Sequence, residues 1–212
     1  MMRLLLSSLL LCCSLHTWAS EPSSREMREN ATVGVNFSYA FIHVPFVKAW
    51  GANANLYTSG NWLFALDYTN ANKAIKIFSF QLGEIKEKHI AVQARRFFGN
   101  SFNLKFGLGQ RTTEALLPTD LFDLVVSNYT ETASKFTSNF VRFGLGNQWQ
   151  FGTRYTFVVD WFTINIPYSG EIITSASQYA SGDNKQKVED YENILKYYPS
   201  GSVIQMDIGV IF

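Results

Sequence analysis

The sequence contains few cysteine and histidine residues, whose side chains form disulfides, thiolate sites and many metal sites. Its 212 residues include only two cysteines, Cys12 and Cys13, and three histidines. Both cysteines lie in a leader that we predict to be removed, so disulfides and thiolate metal ligands are not expected. The 18 basic and 17 acidic residues nearly balance, which gives no support for a nucleic-acid partner. After residue 20, no segment approaches the ~20 apolar residues of a transmembrane helix.

The first residues have the organisation of a secretory leader. Arg3 supplies a positive charge, an apolar run follows over 4–15, and Ala19 suits the last position before a cleavage site. A lipoprotein leader with its lipid on Cys12 is the alternative, but the residue before Cys12 is larger than lipid attachment favours. We predict three parts: a signal peptide over 1–19, a flexible polar lead-in over 20–31, and one domain over 32–212.

From residue 32 onward, apolar and polar residues alternate with a period of two, which predicts β-strands with one apolar face. There are eight such segments of about ten residues, the length that a tilted strand needs to cross a bilayer. Short links after the second, fourth and sixth segments contrast with long links at about 71–88, 115–135 and 167–200. This alternation of short and long links predicts an all-β fold, an eight-stranded antiparallel up-and-down barrel with short turns at one end and longer loops at the other.

The alternation is clearest at the end of the chain. Large apolar residues occupy every second position there: Ile204, Met206, Ile208, Val210 and Phe212. Aromatic residues also gather beside the predicted short turns: Tyr57, Trp62, Phe98, Phe102, Trp149 and Tyr155. We predict that this aromatic set forms a girdle at a membrane interface.

These features resemble the eight-stranded bacterial outer-membrane barrels of the OmpA/OmpX/OmpW class. The resemblance covers about residues 32–212 and rests on architecture, girdle and terminal strand, without a subfamily signature. It implies a transmembrane barrel surrounded by outer-membrane lipids, assembled with periplasmic chaperones and barrel-assembly machinery that reads the terminal strand. It also implies a structural or surface-interaction role in the envelope. A narrow channel for small solutes and a lipid-modifying enzyme are the alternatives, and any external partner is unknown.

Alternation alone does not decide which face of each strand points outward. In a soluble lipocalin-like barrel, the apolar face would line a ligand cavity and the polar face would meet water. The polar face here consists mainly of Gly, Ala, Asn and Ser with isolated charges. Such small residues favour the narrow interior of an eight-stranded membrane barrel.

Eight charged residues lie on the predicted inner face: Asp67, Arg95, Lys105, Arg111, Arg142, Arg154, Asp160 and Asp207. Charges in a narrow lumen must pair or remain hydrated, because isolated burial is costly. We predict a structural network that fills the lumen, with a pore or gate as the alternative. If the turn after the sixth strand is centred near Phe151, Arg142 faces Asp160 across the hairpin, and we predict an ion pair between them.

Two other features could suggest ligand binding or catalysis. The near repeat at 105–110 and 142–147 contains Gly-x-Gly twice, but within strands, where we expect glycine to make room for interior side chains or to relieve curvature. His43 and His89 are predicted to lie in loops or at the rim. They form neither the His-x-Ser pairing of lipid A deacylases nor a metal-ligand spacing. The sequence therefore predicts no catalytic residue, no cofactor and no metal site.

The last predicted loop contains a further element. Apolar residues over 185–198 recur at helical spacing, which predicts a short amphipathic helix. It would pack on the barrel mouth or, alternatively, offer a surface to an external partner or to lipid headgroups.

Overall fold

The computed structural model describes residues 22–44, 48–77, 80–118, 131–179 and 183–212, and the predicted signal peptide lies outside them. Eight strands form a closed barrel in which each pairs antiparallel with the next and the last pairs with the first. They are β1 (Val33–Val44), β2 (Ala49–Ser59), β3 (Trp62–Ile77), β4 (Phe80–Phe98), β5 (Phe102–Pro118), β6 (Glu131–Phe151), β7 (Tyr155–Thr174) and β8 (Ser200–Ile211). The predicted fold class is confirmed.

Within the residues that the structure describes, two α-helices accompany the strands, α1 (Ser24–Asn30) and α2 (Asp183–Tyr197), and a short 3₁₀ turn covers Ala176–Tyr179. Tight turns follow β2, β4 and β6 at the end of the barrel that we call the turn end. Gly99 and Gly152 lie in two of these turns with φ of 67° and 56°, a conformation that glycine adopts at no steric cost. The opposite end carries α2 and is called the helix end. In the described part of the chain, neither helix is long and apolar enough to cross a membrane.

Several strands are longer than predicted. The prediction of a long loop over 71–88 is wrong, because β3 continues to Ile77 and β4 begins at Phe80. The ladder extends through Asn70↔Lys88 to Ile77↔Phe80, with one irregularity. Polar residues occur on both faces of this hairpin, so its sequence does not show the alternation of apolar and polar residues that predicts a strand. Similarly, β5, β6 and β7 extend into the expected loops over 115–135 and 167–200, although residues 119–130 lie outside the described structure.

The phase of the alternation changes where the ladders of β7 and β8 are interrupted. In β8, Val203 and Ile204 both face outward, and Ile204 has φ of 57°, which is uncommon for a β-branched residue. In β7, Trp161 and Phe162 are both exposed, and the pairing with β8 passes from Asp160 directly to Phe162. The interruption at Ile204 explains why regular alternation begins only there, and the irregularity of the β6–β7 ladder beside Trp161 explains why it blurs along the seventh segment.

The predicted lead-in over 20–31 contains a helix that the sequence analysis does not predict. Residues 24–30 form α1, which begins with a capping box: the Ser23 hydroxyl accepts from the Glu26 amide, and the Glu26 carboxylate accepts from the Ser23 amide. These reciprocal bonds satisfy two amides at the start of the helix. The short helix has no apolar stripe, so the sequence pattern did not show it.

Arg28 attaches α1 to the turn end of the barrel. Its guanidinium donates to the carbonyl oxygens of Gly60 and Asn100, each at 2.9 Å, and lies 3.8 Å from the centroid of the Phe97 ring. Burial lowers the pKa of Arg28 to about 10, so the side chain remains charged at neutral pH. The helix therefore covers the turn end through specific contacts with two turns and an aromatic ring.

The outer and inner faces of the wall have opposite polarity. Large apolar residues are exposed around the outside, among them Val35, Leu66, Val92, Leu108, Phe143 and Ile208. The inside carries buried amides and charges, including Asn53, Gln93, Arg95, Lys105, Arg142 and Asp160. This arrangement is the reverse of a water-soluble protein, where charged residues are almost never fully buried and large apolar patches are rare. An apolar ligand cavity of the lipocalin kind does not match this interior.

At the helix end, α2 packs into the barrel mouth, as the first of the two sequence alternatives predicts. Leu195 is buried against residues from six strands: Ala40, Ala49, Ala71, Ile85, Ala115 and Phe136. The small alanines leave room for Leu195 and for the rings of Tyr191 and Tyr198 beside it. This contact buries apolar surface between α2 and the wall.

Candidate functional site

The lumen near the turn end contains a charge cluster centred on Asp160 of β7. Arg95 donates two hydrogen bonds to the Asp160 carboxylate, from Nη1 at 2.6 Å and from Nη2 at 2.9 Å. Lys105 donates a third at 2.5 Å, and the Asp207 carboxylate lies 3.7 Å from Arg95 Nη2. We call these four residues the Asp160 cluster. All are at most 3% exposed, so two cations and two anions compensate one another in the interior.

A second charge pair lies farther along the lumen. Arg142 of β6 donates from Nη1 to Asp67 Oδ1 at 2.8 Å. Its Nε donates to Asn165 Oδ1 at 2.7 Å, and Nη1 is also 3.3 Å from Gln93 Oε1. These partners come from β3, β4 and β7, so one guanidinium connects four strands through the interior.

The predicted Arg142–Asp160 ion pair is wrong. Arg142 aligns with Asn165, and Asp160 aligns with Gly146. Two causes shift the register. The turn after β6 covers 152–154 and is therefore not centred on Phe151, and the ladder is irregular between Leu145 and Gly146. Both charges do lie inside the barrel, but each pairs with residues of other strands.

Two other predicted site residues lie elsewhere. Arg154 is exposed in the turn before β7, so its assignment to the lumenal network is wrong. Tyr57 is 5% exposed and faces inward with Asn53 and Asn55, so its assignment to the outer girdle is also wrong. Its hydroxyl accepts a hydrogen bond from Gln148 at 3.1 Å. The remaining girdle residues face outward near the turn end: Trp62, Phe98, Phe102, Trp149 and Tyr155.

The glycines of the near repeat make room for lumenal side chains, as the sequence predicts. A Cβ atom at Gly146 would lie 2.6 Å from Asp160 Oδ1, and one at Gly144 would lie 2.9 Å from Lys105 Cε. A Cβ at Gly107 would lie 2.9 Å from the Gln93 side chain. The absence of these β-carbons gives the long charged and amide side chains space inside a narrow barrel.

At the helix end, Arg111 anchors α2 from inside the lumen. Its guanidinium donates to three carbonyl oxygens at the end of the helix, those of Leu195 at 3.3 Å, Lys196 at 3.0 Å and Tyr198 at 2.9 Å. It also lies 4.1 Å from the centroid of the Tyr198 ring. A cation here compensates the negative end of the helix dipole and satisfies carbonyls that have no partner within the helix.

A buried carboxylate attaches the middle of α2 to the wall. Glu192 accepts from the Ser134 hydroxyl at 2.5 Å, from the Ala176 amide at 2.7 Å and from the Ser175 hydroxyl at 2.7 Å. Burial also raises the pKa of Tyr191, one turn from the Leu195 contact. The helix is thus held by an apolar contact, a carboxylate and the Arg111 guanidinium.

Directly below α2, the fold brings together residues that the sequence did not connect. His43 of β1 and the pair Glu87 and His89 of β4 lie inside the barrel, at most 4% exposed. The prediction that the histidines occupy loops or the rim is wrong. Their ligand atoms and a Glu87 oxygen all lie within 4.8 Å of one another. The Glu87-x-His89 spacing places both side chains on one strand face, but nothing in the sequence placed His43 beside them.

Comparison with known proteins finds similarity to solved structures alone. A scan against protein-family models and a search of curated proteins found no match. Among solved structures, the N-terminal β-barrel domain of Pseudomonas aeruginosa OprF matches with a TM-score of 0.45 and 10% identity, covering 85% of this chain and 96% of that one. Neisserial surface protein A (NspA) gives 0.45 and 14%, covering 85% and 96%.

Acinetobacter baumannii CarO2 matches with a TM-score of 0.42 and 10% identity, over 86% of this chain and 99% of that one. Identities this low concern the fold and say nothing of activity. This chain is a closed eight-stranded antiparallel barrel, similar in fold to these outer-membrane barrels.

Proposed function

We propose that this protein is an outer-membrane barrel with a structural or surface-interaction role in the bacterial envelope and a lumen closed by its own side chains. The observation that carries this proposal is the inverted polarity of the wall. Apolar side chains cover the outside, whereas charged side chains are buried and paired inside. Only a surrounding apolar phase makes such an exterior favourable.

The outer face of β4 gives the height of the proposed lipid-facing belt. Outward residues from Phe98 to Ile90 are apolar apart from Arg96, whose guanidinium lies 5.0 Å from the centroid of the Trp62 ring near the turn end. Nine strand residues at about 3.3 Å each, tilted by about 40°, span about 22 Å, close to the apolar band of outer-membrane barrels. Past Ile90, the next outward residue is Lys88, which marks the end of this belt.

Beyond the belt, the wall continues away from the membrane. β4 extends from Lys88 to Phe80, and β3 accompanies it to Ile77. We propose that this projecting part, together with α2, is the surface available to an external partner. The turn end, with α1 and the end of β8, would then face the periplasm, where chaperones and the barrel-assembly machinery act on the chain.

The filled interior argues against the alternative of an open channel. The Asp160 cluster, the Arg142–Asp67 pair and the contacts of Arg111 lie at successive levels of the lumen. At the first two levels long side chains reach partners on non-adjacent strands, and Arg111 reaches carbonyl oxygens at the end of α2. Ions crossing the barrel would have to displace these buried pairs, and breaking a buried pair is costly.

Planar-bilayer recording of the purified folded protein tests this proposal. We expect no reproducible conductance steps from the protein, while a general porin in the same membranes gives clear steps. Insertion is checked in parallel by resistance of the barrel to added protease in vesicles made from the same lipid. Stepwise conductance that recurs between preparations and rises with salt would show a channel and would contradict the closed lumen.

A further inference from the structure

We propose that the lumen at the helix end contains a binding site for one divalent transition-metal ion of the Zn²⁺ type, formed by His43, Glu87 and His89. We call these residues the His-Glu-His cluster. This site is distinct from the Asp160 cluster and from the Arg142–Asp67 pair. It does not depend on whether the barrel conducts.

The geometry of the cluster is close to that of a metal site. His43 Nε2 lies 3.6 Å from Glu87 Oε1, and His89 Nε2 contacts the same oxygen directly. The two imidazole rings are 5.7 Å apart between centroids. Zn²⁺ binds nitrogen and oxygen ligands at about 2.0–2.2 Å, which places neighbouring ligand atoms about 3–3.5 Å apart. The three ligand atoms already lie within 4.8 Å of one another, and His89 must move away from Glu87 Oε1 to admit the ion.

The donor types favour a transition metal over a hard cation. Two imidazoles and one carboxylate are the protein ligands of one class of zinc site that keeps a further position open. Imidazole nitrogen suits Zn²⁺, Ni²⁺ and Cu²⁺, whereas Mg²⁺ and Ca²⁺ prefer sites built from oxygen alone. The Glu87 carboxylate also supplies a negative charge that a divalent cation would compensate.

Neighbouring residues hold the ligands in place. The Tyr198 hydroxyl donates to Glu87 Oε2, which leaves Oε1 directed towards the two histidines. The Phe140 ring lies 5.3 Å from the His89 ring between centroids and restricts its rotation. Such supporting contacts are typical of metal sites, where partners of the ligands fix their orientation.

Arg111 is a nearby positive charge that opposes a cation, since its Nη1 lies 4.0 Å from Glu87 Oε2. Its guanidinium, however, is directed to the carbonyl oxygens of Leu195, Lys196 and Tyr198. These oxygens at the negative end of α2 compensate much of its charge. Arg111 also approaches the carboxylate oxygen opposite the histidines, so it does not occupy the position of the ion.

A bound ion would join opposite parts of the wall. His43 lies on β1 and the other two ligands lie on β4, and these strands are not neighbours in the barrel. Because Glu87 is also bonded to Tyr198, which directly follows α2, the ion would connect the wall to the segment that covers the mouth. Metal binding would thereby stabilise the closed helix end.

The test is a titration of the folded protein, purified in detergent without a polyhistidine tag, first with Co²⁺ and then with Zn²⁺. We expect one Co²⁺ per chain with visible d–d absorption, and displacement of Co²⁺ by an equivalent of Zn²⁺. His89→Gln and Glu87→Gln should each weaken binding by at least about 10-fold, because loss of a supporting partner alone costs about 10–100-fold. Heat-modifiable gel mobility shows that each variant is folded, and His43→Gln replaces any variant that is not.

Asp207→Asn is the matched control, because it removes a buried carboxylate of the same lumen outside the His-Glu-His cluster. Its metal affinity should equal that of the wild-type chain. The proposal is overturned if the folded wild-type protein binds no stoichiometric Co²⁺ or Zn²⁺. It is equally overturned if His89→Gln and Glu87→Gln bind as tightly as Asp207→Asn.

Discussion

Arg142 and Asp67 form an ion pair across the lumen, with Arg142 Nη1 2.8 Å from Asp67 Oδ1. The two residues lie on β6 and β3, which are separated by two strands in the barrel order. Both side chains are at most 5% exposed. The pair therefore connects opposite parts of the wall and contributes to closing the interior.

The first prediction concerns this ion pair. Asp67→Ala should lower the free energy of unfolding by about 3–5 kcal/mol, because it leaves the Arg142 guanidinium buried without its counter-charge. Asp67→Ala combined with Arg142→Met should recover part of the loss, since neither charge then remains. Urea unfolding in lipid vesicles, followed by tryptophan fluorescence, measures these two variants and Arg142→Met alone, which completes the cycle.

The matched comparison is a second double-mutant cycle between Arg142 and Asp160, which the sequence paired and the structure separates. We expect a larger coupling energy for Arg142 with Asp67 than for Arg142 with Asp160. Equal coupling in the two cycles, or none for Arg142 with Asp67, would show that the observed pairing is not the one that stabilises the barrel.

These pairs show which parts of the fold the sequence predicts and which it does not. The face of a strand residue follows from its local period of two, so the inward positions of Asp67, Arg95 and Arg142 were predictable. Partners across the lumen depend on strand tilt and register, which the bulge beside Gly146 shifts. The proximity of His43 and Glu87 depends on closure of the whole barrel, and no local pattern contains that information.

The second prediction concerns the lipid-facing belt. Phe143 is 49% exposed on β6, level with the middle of the outer apolar face. Phe143→Arg should destabilise the barrel by about 2–4 kcal/mol, the cost of a basic residue at the bilayer midplane. Equilibrium refolding into vesicles with a urea titration measures the effect.

Ile173→Arg is the control for Phe143→Arg. Ile173 is similarly exposed, at 54%, but lies near the helix end of β7, beyond the proposed belt. A basic residue there should meet water or headgroups and change stability little. Equal destabilisation by both substitutions would contradict the proposed height of the membrane on the barrel.

The third prediction concerns the attachment of α2. Arg111→Met removes the bonds to the helix carbonyls while keeping an unbranched side chain. Hydrogen bonds to charged groups contribute about 1.5–3 kcal/mol, so local opening of α2 should rise by about 10-fold or more. Limited trypsin digestion should then cut faster after Lys185 and Lys187, which are exposed on the helix. Mass spectrometry of the fragments identifies the cut sites.

Arg154→Met serves as the control for the helix attachment, because Arg154 is an exposed arginine at the opposite end of the barrel. Its α2 cleavage rate should match that of the wild-type chain. If Arg111→Met leaves cleavage after Lys185 and Lys187 unchanged, the guanidinium does not hold the helix, and packing of Leu195 and the Glu192 bonds suffices.

The last prediction separates the structural role of Phe212 from its proposed role as an assembly signal. The Phe212 amide donates to the Val33 carbonyl at 2.8 Å, and its own carbonyl accepts from the Thr32 amide at 2.8 Å. These backbone bonds help close the seam between β8 and β1, whereas the Phe212 ring is 66% exposed. Phe212→Ser keeps the backbone bonds and removes only the ring. The variant should therefore refold in detergent nearly as well as the wild-type chain but accumulate less folded protein in outer membranes.

Heat-modifiable gel mobility measures folded protein in both settings, refolded in detergent and extracted from membrane fractions. Tyr155→Ser is the matched control, because Tyr155 is 63% exposed at the same end and aligns with Val210 of β8. The Tyr155→Ser variant should lose a similar girdle contact, but its terminal residue is unchanged. A deficit in cells for Phe212→Ser alone supports recognition of the terminal ring by the assembly machinery. Equal deficits for both variants would show that Phe212 acts only as a girdle residue, because loss of either exposed ring would then have the same consequence.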